Sequence, residues 1–334
     1  MRIENTFGIN AEARVLVTYD SEEALREALK RIKEQHEGLP ILHVGCGSNL
    51  LFLDNYNGIV LKSGIKGIRL LQETDSNVLV EVGAGEICDE VIAEAIRRGW
   101  YGMENLSLIP GQIGAAAVQN IGAYGVEVCD VIEEVKGISL KDGSQHTWKC
   151  NECKYGYRQS IFKEELWGKY AITRVTFRLS KHFEPKLQYG GLIKAIGQAG
   201  LSESSLTAEQ LRGVIIDIRR AKLPDPNVQG NAGSFFKNPV VSKEKATQLL
   251  ALYPEMPHYP AAEGQVKLAA GWLIEQAGWK GRSLGPAAVH DRQALVLVNK
   301  GGATGHDIQK LCDAVKKDVG ELFGIELEPE VNFI

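Results

Sequence analysis

The 334-residue sequence lacks long apolar runs, a secretory leader and an excess of positive charge. No stretch approaches the ~18 consecutive apolar residues that suit a membrane-spanning helix, and the opening MRIENTFGIN has no apolar core. The 38 Lys and Arg residues are outnumbered by 42 Asp and Glu residues, so the chain supplies no positive field for a nucleic-acid backbone. We therefore expect a cytoplasmic protein that contacts neither membrane nor nucleic acid.

Cysteine is too scattered for a disulfide framework. Six cysteines are spread through a long chain without a secretory signal, so reduced thiols are expected. His146, Cys150 and Cys153 have the spacing of three metal ligands on a short loop. No second Cys or His pair follows to complete a zinc tetrahedron, so the sequence predicts a solvated loop and no metal site.

Two common nucleotide-binding fingerprints are missing. VGCGSNLL, residues 44–51, follows a predicted strand and spaces Gly45 and Gly47 as a phosphate-binding turn would. Leu50 stands where the third glycine of GxGxxG belongs, and no Walker A pattern occurs. The sequence therefore argues against a Rossmann dehydrogenase and against a P-loop enzyme. Taken alone, GCGS is equally consistent with a simple tight turn.

What the sequence has in excess is glycine. Thirteen of its 36 glycines lie between Gly45 and Gly125, a region where backbone is expected to turn sharply or to approach a ligand closely. VGAGE, residues 82–86, and the nearly uncharged IPGQIGAAAVQNIGAYG, residues 109–125, join GCGSN there. The second segment is predicted to be neither an amphipathic helix nor an alternating strand. Three such loops indicate a large, phosphate-bearing cofactor.

Hydrophobic periodicity outlines a mixed α and β chain. A helix is predicted over 20–36, with Asp20 as its cap and Glu23 completing a capping box. Alternation over 325–334 predicts a final strand, and the prolines of LPDPN, 223–227, mark a domain boundary. Other predicted helices span 89–98, 243–252, 266–277 and 306–323, the last with Leu322 inward, and predicted strands span 41–44, 58–62, 78–82, 170–179 and 294–299.

The order of several longer motifs resembles one enzyme family over essentially the whole chain. The motifs are VGCGSNLLF, VGAGE, IPGQIGAAAVQNIGAYG, YGYRQSIFK, KLPDPNVQGNAGSFFKNPVV, YPAAEGQVKLAAGWLIEQAG, AAVHDRQALVLVN and LEPEV. They resemble those of UDP-N-acetylenolpyruvoylglucosamine reductases, the flavoenzymes of peptidoglycan precursor synthesis, in the branch whose longer loop carries a tyrosine.

The resemblance implies an α+β architecture, in which a two-subdomain FAD-binding fold of the vanillyl-alcohol-oxidase type is joined to a C-terminal α/β substrate-binding domain. The expected domains are residues 1–66, to which 326–334 return, then 67–222, and then 223–325. The resemblance further implies bound FAD, NADPH as co-substrate, a UDP-linked enolpyruvyl sugar as substrate, and a monomer or weak oligomer. Two alternatives stay open: another FAD-dependent oxidase or dehydrogenase of the same superfamily, and a flavin or nucleotide-sugar sensor without turnover.

Three catalytic residues follow from the resemblance. Arg158 in YGYRQSIFK would grip the substrate carboxylate with its guanidinium fork, although arginine is more often a surface ion-pair partner. Ser234 in GNAGSFFK would donate the proton, although a neutral hydroxyl is a poor acid and a turn serine is the plain alternative. Glu330 in LEPEV would join Arg158 in stabilising the charge that develops in the substrate carboxylate. The plain alternative is that the polar face of its predicted strand faces solvent.

The resemblance also implies binding residues. Tyr189 and Lys222 would hold the substrate diphosphate, and Asn238, Tyr259 and Gln293 would make further substrate contacts. The branch usually has a basic residue two places after the catalytic glutamate, and Asn332 stands there in this chain. The predicted FAD-binding residues are Gly45, Cys46, Gly47, Ser48, Asn49, Leu50, Gly111, Gly114, Ala115, Gln119, Asn120, Gly122, Ala123, Tyr124 and Gly125.

Overall fold

The computed structural model describes residues 1–189 and 191–334, and they fall into two compact units. The first unit comprises Met1, 13–46 and 57–221, and the second comprises 2–12, 47–56 and 222–334. Two N-terminal stretches thus belong with the C-terminal third of the chain. The three-part division at 66 and 222 stays a prediction.

Strands and helices are interspersed along the chain, with runs of strands between the helices. The strands of the described residues are β1 (Ala13–Tyr19), β2 (Ile41–Val44), β3 (Leu50–Leu51), β4 (Tyr56–Ser63), β5 (Ile68–Glu73), β6 (Asn77–Gly83), β7 (Gly122–Ala123), β8 (Val126–Glu127), β9 (Ile132–Ser139), β10 (Gln145–Lys149), β11 (Tyr170–Ser180), β12 (Asn231–Ser234), β13 (Val240–Ser242), β14 (His258–Pro260), β15 (Gln265–Leu268), β16 (Ser283–Leu284), β17 (Ala287–Val289), β18 (Val296–Asn299) and β19 (Asn332–Phe333). The α-helices are α1 (Glu22–Gln35), α2 (Cys88–Arg97), α3 (Ile113–Gln119), α4 (Leu192–Gln198), α5 (Ala208–Lys222), α6 (Lys243–Leu252), α7 (Ala270–Gln276) and α8 (Gly305–Phe323).

The first unit is built on an antiparallel sheet of order β10-β9-β11-β6-β5. Its buried face carries Val80 and Val82 of β6 with Phe177 of β11, and α2 packs on that face through Val91 and Ile92. A second sheet, of order β1-β4-β2, pairs β2 and β4 in parallel. The chain leaves β2 directly into the GCGSN loop.

Helix α1 confirms the predicted apolar face and corrects the predicted cap. Leu25, Leu29 and Ile32 are buried, because they recur at helical spacing. The cap is Ser21, whose hydroxyl accepts the Ala24 N–H at 3.1 Å. Asp20 and its capping box with Glu23 were therefore the wrong choice, by one residue.

Helix α3 is a short helix within the segment 109–125, for which the sequence predicts neither an amphipathic helix nor an alternating strand. Its Ile113, Ala116 and Ala117 are buried, and every other position is at most half exposed. A short helix that is covered nearly all round shows no polar stripe, so its sequence carries no amphipathic signal.

The second unit packs α8 against the sheet of order β12-β18-β17-β16. The N-cap of α8 is Thr304, whose hydroxyl accepts the Asp307 N–H, and the C-cap is Gly324 at φ +61°. Leu322 was predicted to face inward but is 50% exposed, whereas Phe323 is buried. The Phe323 ring packs against the rings of Tyr253 and Trp272, so the last turn of the helix buries Phe323 in place of Leu322.

Two further predictions in this unit need correction. The helix predicted over 266–277 begins only at Ala270, because the preceding residues form β15, the central strand of a β13-β15-β14 sheet. In the tail only β19 is a strand, and it pairs in parallel with β3. The alternation was still informative, since Ile325, Leu327 and Val331 are buried. No helix among the described residues has the length and apolarity to cross a membrane.

Candidate active site

The three predicted glycine-rich loops meet in the first unit around Gln112. This side chain is 7% exposed, and its amide donates to the carbonyls of Ser63 (3.3 Å) and Gly85 (3.0 Å). Its Oε1 lies 3.2 Å from where a Cβ on Gly45 would stand, and Ala115 lies 3.3 Å from that point. One buried amide thus links the end of β4, the VGAGE loop and the start of the GCGSN loop.

Glycine is required where these loops touch. A Cβ on Gly114 would lie 2.9 Å from the Cβ of Ala84, and one on Gly85 would lie 2.7 Å from the Ser63 carbonyl oxygen. The Gly114 N–H donates to the Ala84 carbonyl at 3.0 Å. The local glycine excess is therefore explained in part by close packing of the loops on one another.

The arrangement fits a bound FAD. The Gln119 Oε1 atom is buried without a hydrogen-bond partner among the described residues. Such an acceptor costs about 1–3 kcal/mol unless a donor reaches it, so a ligand donor is expected beside Gln119. Of the other predicted FAD residues, the Gly111 carbonyl accepts the Cys88 N–H at 3.0 Å, Ala123 lies in the β7–β8 hairpin, and Cys46 and Ser48 are half-buried.

Backbone strain concentrates on predicted site residues. Among the described residues, the non-glycine residues with positive φ are Leu108, Asn120, Tyr124, Lys154 and Arg158. Three of these five were singled out from the sequence. A left-handed conformation costs roughly 1–3 kcal/mol at such positions and persists only where its surroundings enforce it, so the strain points to a built site.

Arg158 is held by the predicted FAD-binding loop. Its guanidinium donates to the carbonyls of Gly122 (2.7 Å) and Asn120 (3.4 Å). Lys163 donates to the Arg158 carbonyl at 3.0 Å. A Cβ on Gly122 would lie 2.9 Å from the Arg158 Nη1, so glycine at 122 makes room for the guanidinium.

Arg219 is a candidate that sequence reasoning missed. Its Nε is buried without a hydrogen-bond partner among residues 1–189 and 191–334. Burial lowers the pKa of Arg219, and Arg158 adds to this, while Tyr124 and Asp89 oppose it. Burial also raises the pKa of the Tyr124 hydroxyl. The available signal was periodicity, because Arg219 is one turn beyond the buried Ile215 on α5.

Tyr189 and Lys222 occupy exposed positions. Tyr189 is 38% exposed, and its Cβ lies 3.3 Å from where a Cβ on Gly125 would stand. Tyr189 therefore lies against the predicted FAD-binding loop. Lys222 is exposed at the last position of α5.

In the second unit the chain pairing brings Ser234 next to Glu330. The Glu330 N–H donates to the carbonyl of Phe235 at 2.8 Å. Phe236 and Pro329 form an antiparallel bridge just beyond it. Two residues that are nearly 100 positions apart in sequence are thus held on adjacent stretches of backbone.

Asn49 also holds Glu330, through its amide. Its Nδ2 donates to the Glu330 carbonyl at 3.1 Å, and β3, which starts at Leu50, runs alongside β19. Asn332, the departure from the family pattern, gives both its N–H (3.1 Å) and its Nδ2 (3.3 Å) to the Asn49 carbonyl. Its side chain thus supports the backbone at Asn49.

Ser234 emerges from an irregular strand end. Between Asn231 and Ser234 the β12–β18 register shifts, and Gly233 adopts φ +69°. The buried Asn231 accepts the Gly233 N–H with its Oδ1 at 2.9 Å. The bulge leaves Ser234 exposed.

Asn238 and Gln293 both lie beside the start of α7. The Asn238 Oδ1 accepts the Ala270 N–H at 3.0 Å. The Gln293 Oε1 accepts the Leu295 N–H at 3.3 Å and lies 3.2 Å from a Cβ placed on Gly271. Tyr259 lies on β14 opposite Lys267 of β15, the strand that leads into α7.

The segment with ligand-like spacing is not the predicted solvated loop, because His146 lies on β10 and Cys153 is buried in the core of the first unit. The His146 ring lies against Trp148, with ring centroids 4.4 Å apart. The Cys153 thiol donates to the Lys149 carbonyl (3.4 Å) and the Cys150 thiol to the Cys129 carbonyl (3.5 Å). Within the described residues no group of three or more His, Cys, Asp or Glu side chains is placed to hold a metal ion.

The fold and the converging loops define the class of protein as an FAD-binding flavoprotein, since residues 13–149 match the family described as FAD binding domain. Residues 225–334 match the UDP-N-acetylenolpyruvoylglucosamine reductase C-terminal domain. The chain belongs to the UDP-N-acetylenolpyruvoylglucosamine reductase family.

Relatives match nearly the whole chain. The reductase of Bacteroides fragilis (strain YCH46) is 49% identical, over 99% of this chain and 97% of the relative. That of Neisseria meningitidis serogroup A (strain Z2491) is 46% identical, over 99% and 94%. The crystal structure of the reductase from Thermus caldophilus aligns with a TM-score of 0.68 at 25% identity, covering 100% of this chain and 98% of that one. The predicted α+β flavoprotein fold with its additional C-terminal domain is confirmed.

Proposed function

We propose that this chain reduces UDP-N-acetylenolpyruvoylglucosamine to UDP-N-acetylmuramate with NADPH through bound FAD, a step of peptidoglycan precursor synthesis. Identity of 49% over 97% of a named reductase carries the proposal. The comparisons support this reductase and neither the oxidase nor the sensor alternative. The residue roles below are proposals: they carry over what the family resemblance implies, except that of Arg219, which rests on its burial.

FAD would be held by the glycine-rich loops that converge on Gln112, with Gln119 accepting a ligand hydrogen bond. When bound, FAD supplies hydride chemistry, accepting a hydride from NADPH and passing one to the substrate double bond. The protein supplies the remaining requirements of the reaction, which are orientation, charge stabilisation and a proton.

Arg158 and Arg219 would bind the substrate carboxylate. Hydride addition to the enolpyruvyl double bond pushes negative charge into that carboxylate, and a guanidinium stabilises the charge as it develops. The strained backbone and the two carbonyl bonds of Arg158 fix its position before the substrate arrives. The buried Nε of Arg219 provides a second donor.

Ser234 Oγ would give its proton to the carbon next to the carboxylate, which completes addition of one hydride and one proton. Glu330, held on the neighbouring backbone, would position and polarise the reacting groups. Lys222 and Tyr189 would bind the diphosphate, and Asn238, Tyr259 and Gln293 would contact the rest of the substrate.

A cytoplasmic location, a monomeric or weakly oligomeric state and the absence of a nucleic-acid partner stay predictions. The six cysteines form no disulfide among the described residues, which supports the first, and the formal charge of −4 supports the last. Gel filtration of the holoenzyme checks the second.

The test separates two half-reactions. Ser234→Ala should slow reoxidation of the reduced flavin by substrate by about 10²- to 10⁴-fold, the usual worth of a positioned acid, while NADPH reduces the flavin at nearly the wild-type rate. Stopped-flow absorbance under anaerobic conditions measures both rates. Ser283→Ala, which alters an exposed serine of the same unit, is the matched control. Equal loss in both half-reactions would remove Ser234 from the acid role.

A further inference from the structure

The N-terminal arm, defined as residues 4–8, lies inside the second unit and joins two of its functional segments. The Thr6 N–H donates to the Gly47 carbonyl at 3.2 Å, and the Thr6 carbonyl accepts the Asn231 N–H at 2.9 Å. Gly47 belongs to the predicted FAD-binding loop, and Asn231 begins the strand that ends at Ser234. A single residue therefore bridges the two.

The arm leaves no room for a side chain at two glycines of the sequence motifs. A Cβ on Gly47 would lie 2.5 Å from the Glu4 carbonyl oxygen. One on Gly230 would lie only 2.1 Å from the Phe7 carbonyl oxygen. Because real Cβ atoms do not approach so closely, glycine at both positions is a requirement of the arm.

Phe7 supports the backbone between the two proposed catalytic residues of this unit. Its side chain is 0% exposed, and its ring meets the Phe235 ring edge-on, with centroids 6.1 Å apart. Phe235 directly follows Ser234, and its carbonyl accepts the Glu330 N–H. A shift of the Phe235 ring would therefore move both Ser234 and Glu330.

Hydrogen bonds between side chains and the backbone hold the arm in place. The Asn5 Oδ1 accepts the Ile9 N–H at 3.0 Å, and its Nδ2 donates to the Ile9 carbonyl at 2.8 Å. The buried Asn299 donates to the Phe7 carbonyl at 3.0 Å. These side-chain bonds to the backbone make the arm a rigid insert and leave it little freedom to move.

We propose that Thr6 and Phe7 are positioning residues of the reaction, holding Ser234 and Glu330 at the geometry that proton transfer requires. This rests on the proposed function, since it assigns the arm to the same site. Errors of about 1 Å in such geometry can cost 10²-fold in rate. The arm should therefore affect the substrate half-reaction more than the NADPH half-reaction.

The experiment uses the holoenzyme and the variant Phe7→Leu, which keeps an apolar side chain but loses the ring. We expect substrate-driven reoxidation of the flavin to slow roughly 10- to 100-fold, with NADPH-driven reduction within about twofold of wild type. Phe323→Leu is the control, because Phe323 is also buried in the second unit and meets Tyr253 edge-on at 5.3 Å. It should leave both rates within about twofold at a similar loss of stability.

The outcomes separate the two proposals. Equal effects of Phe7→Leu and Phe323→Leu on the ratio of the two rates would overturn the positioning role. If Phe7→Leu does not fold, the milder Phe7→Met is expected to skew the ratio in the same direction, and an unchanged ratio overturns the role. Failure of the wild-type enzyme to be reoxidised by substrate would overturn the proposed function and, with it, the role of the arm.

Discussion

At the scale of single residues, the proposed carboxylate-binding group is held by carbonyls and strain. Arg158 combines a positive φ with donation to Gly122 and Asn120. Such an arrangement costs stability and is repaid where the guanidinium must stand in one place before the substrate binds. The activity should therefore be sensitive to small substitutions next to the Arg158 guanidinium.

Gly122→Ala is the sharpest such change. The new methyl group would stand 2.9 Å from the Arg158 Nη1 and would push the fork aside, so we expect kcat/KM for the enolpyruvyl substrate to fall roughly 10- to 100-fold. Steady-state kinetics measure this, with FAD content checked by absorbance.

Gly213→Ala serves as its control. Gly213 lies in α5 with nothing within 4 Å of its Cβ position, so the substitution should leave kcat/KM unchanged and stabilise the protein by up to about 1 kcal/mol. An unchanged kcat/KM for Gly122→Ala would contradict the proposed role of Arg158.

A half-buried histidine gives a pH prediction at the same scale. Burial lowers the pKa of His43 to about 4, and its Nε2 lies 2.6 Å from the Tyr19 hydroxyl. Because the pKa of His43 is lower in the folded than in the unfolded protein, the contribution of the neutral ring to the free energy of unfolding is complete above about pH 6.5. It is lost as the pH falls towards 4. Denaturant unfolding at a series of pH values between 6.5 and 4 should show that the free energy of unfolding falls by roughly 3 kcal/mol because of this group. His43→Phe should flatten that dependence, and an identical pH profile in this variant would refute the assignment.

At the scale of elements, sequence reasoning succeeded where one face of an element is buried and failed where burial is two-sided or the contact is through backbone. Both β2 and α6 have the predicted bounds, because each is an isolated apolar or amphipathic run. Helix α3 was missed because it has no polar face. The role of the N-terminal arm could not be seen either, since its contacts to Gly47 and Asn231 are main-chain bonds across long stretches of sequence.

The cap of α1 tests the corrected helix boundary. Ser21→Ala removes the acceptor for the Ala24 N–H and should lower the free energy of unfolding by about 1 kcal/mol. Asp20→Ala, the neighbouring change, should cost less. Denaturant melts of both variants decide the matter, and a larger loss for Asp20→Ala would restore the original boundary.

At the scale of the whole molecule, the sequence motifs name candidate site residues but do not name the residues that support them. The motifs named Arg158, Ser234 and Glu330, and in the structure the Glu330 N–H donates to the carbonyl of Phe235, the residue after Ser234. Arg219 and Gln112 were not named, because a buried charge on a helix face and an amide linking three loops can be recognised only after folding. Chemistry-bearing residues stand in distinctive motifs, whereas the residues that hold them depend on tertiary contacts.

The central claim is that this chain is a reductase of an enolpyruvyl sugar nucleotide. It is tested most directly by mixing the NADPH-reduced wild-type holoenzyme with UDP-N-acetylenolpyruvoylglucosamine in the absence of oxygen. We predict that the oxidised-flavin absorbance returns and that one equivalent of UDP-N-acetylmuramate forms per flavin. A flavin that stays reduced until oxygen is admitted, with no product formed, would contradict the account.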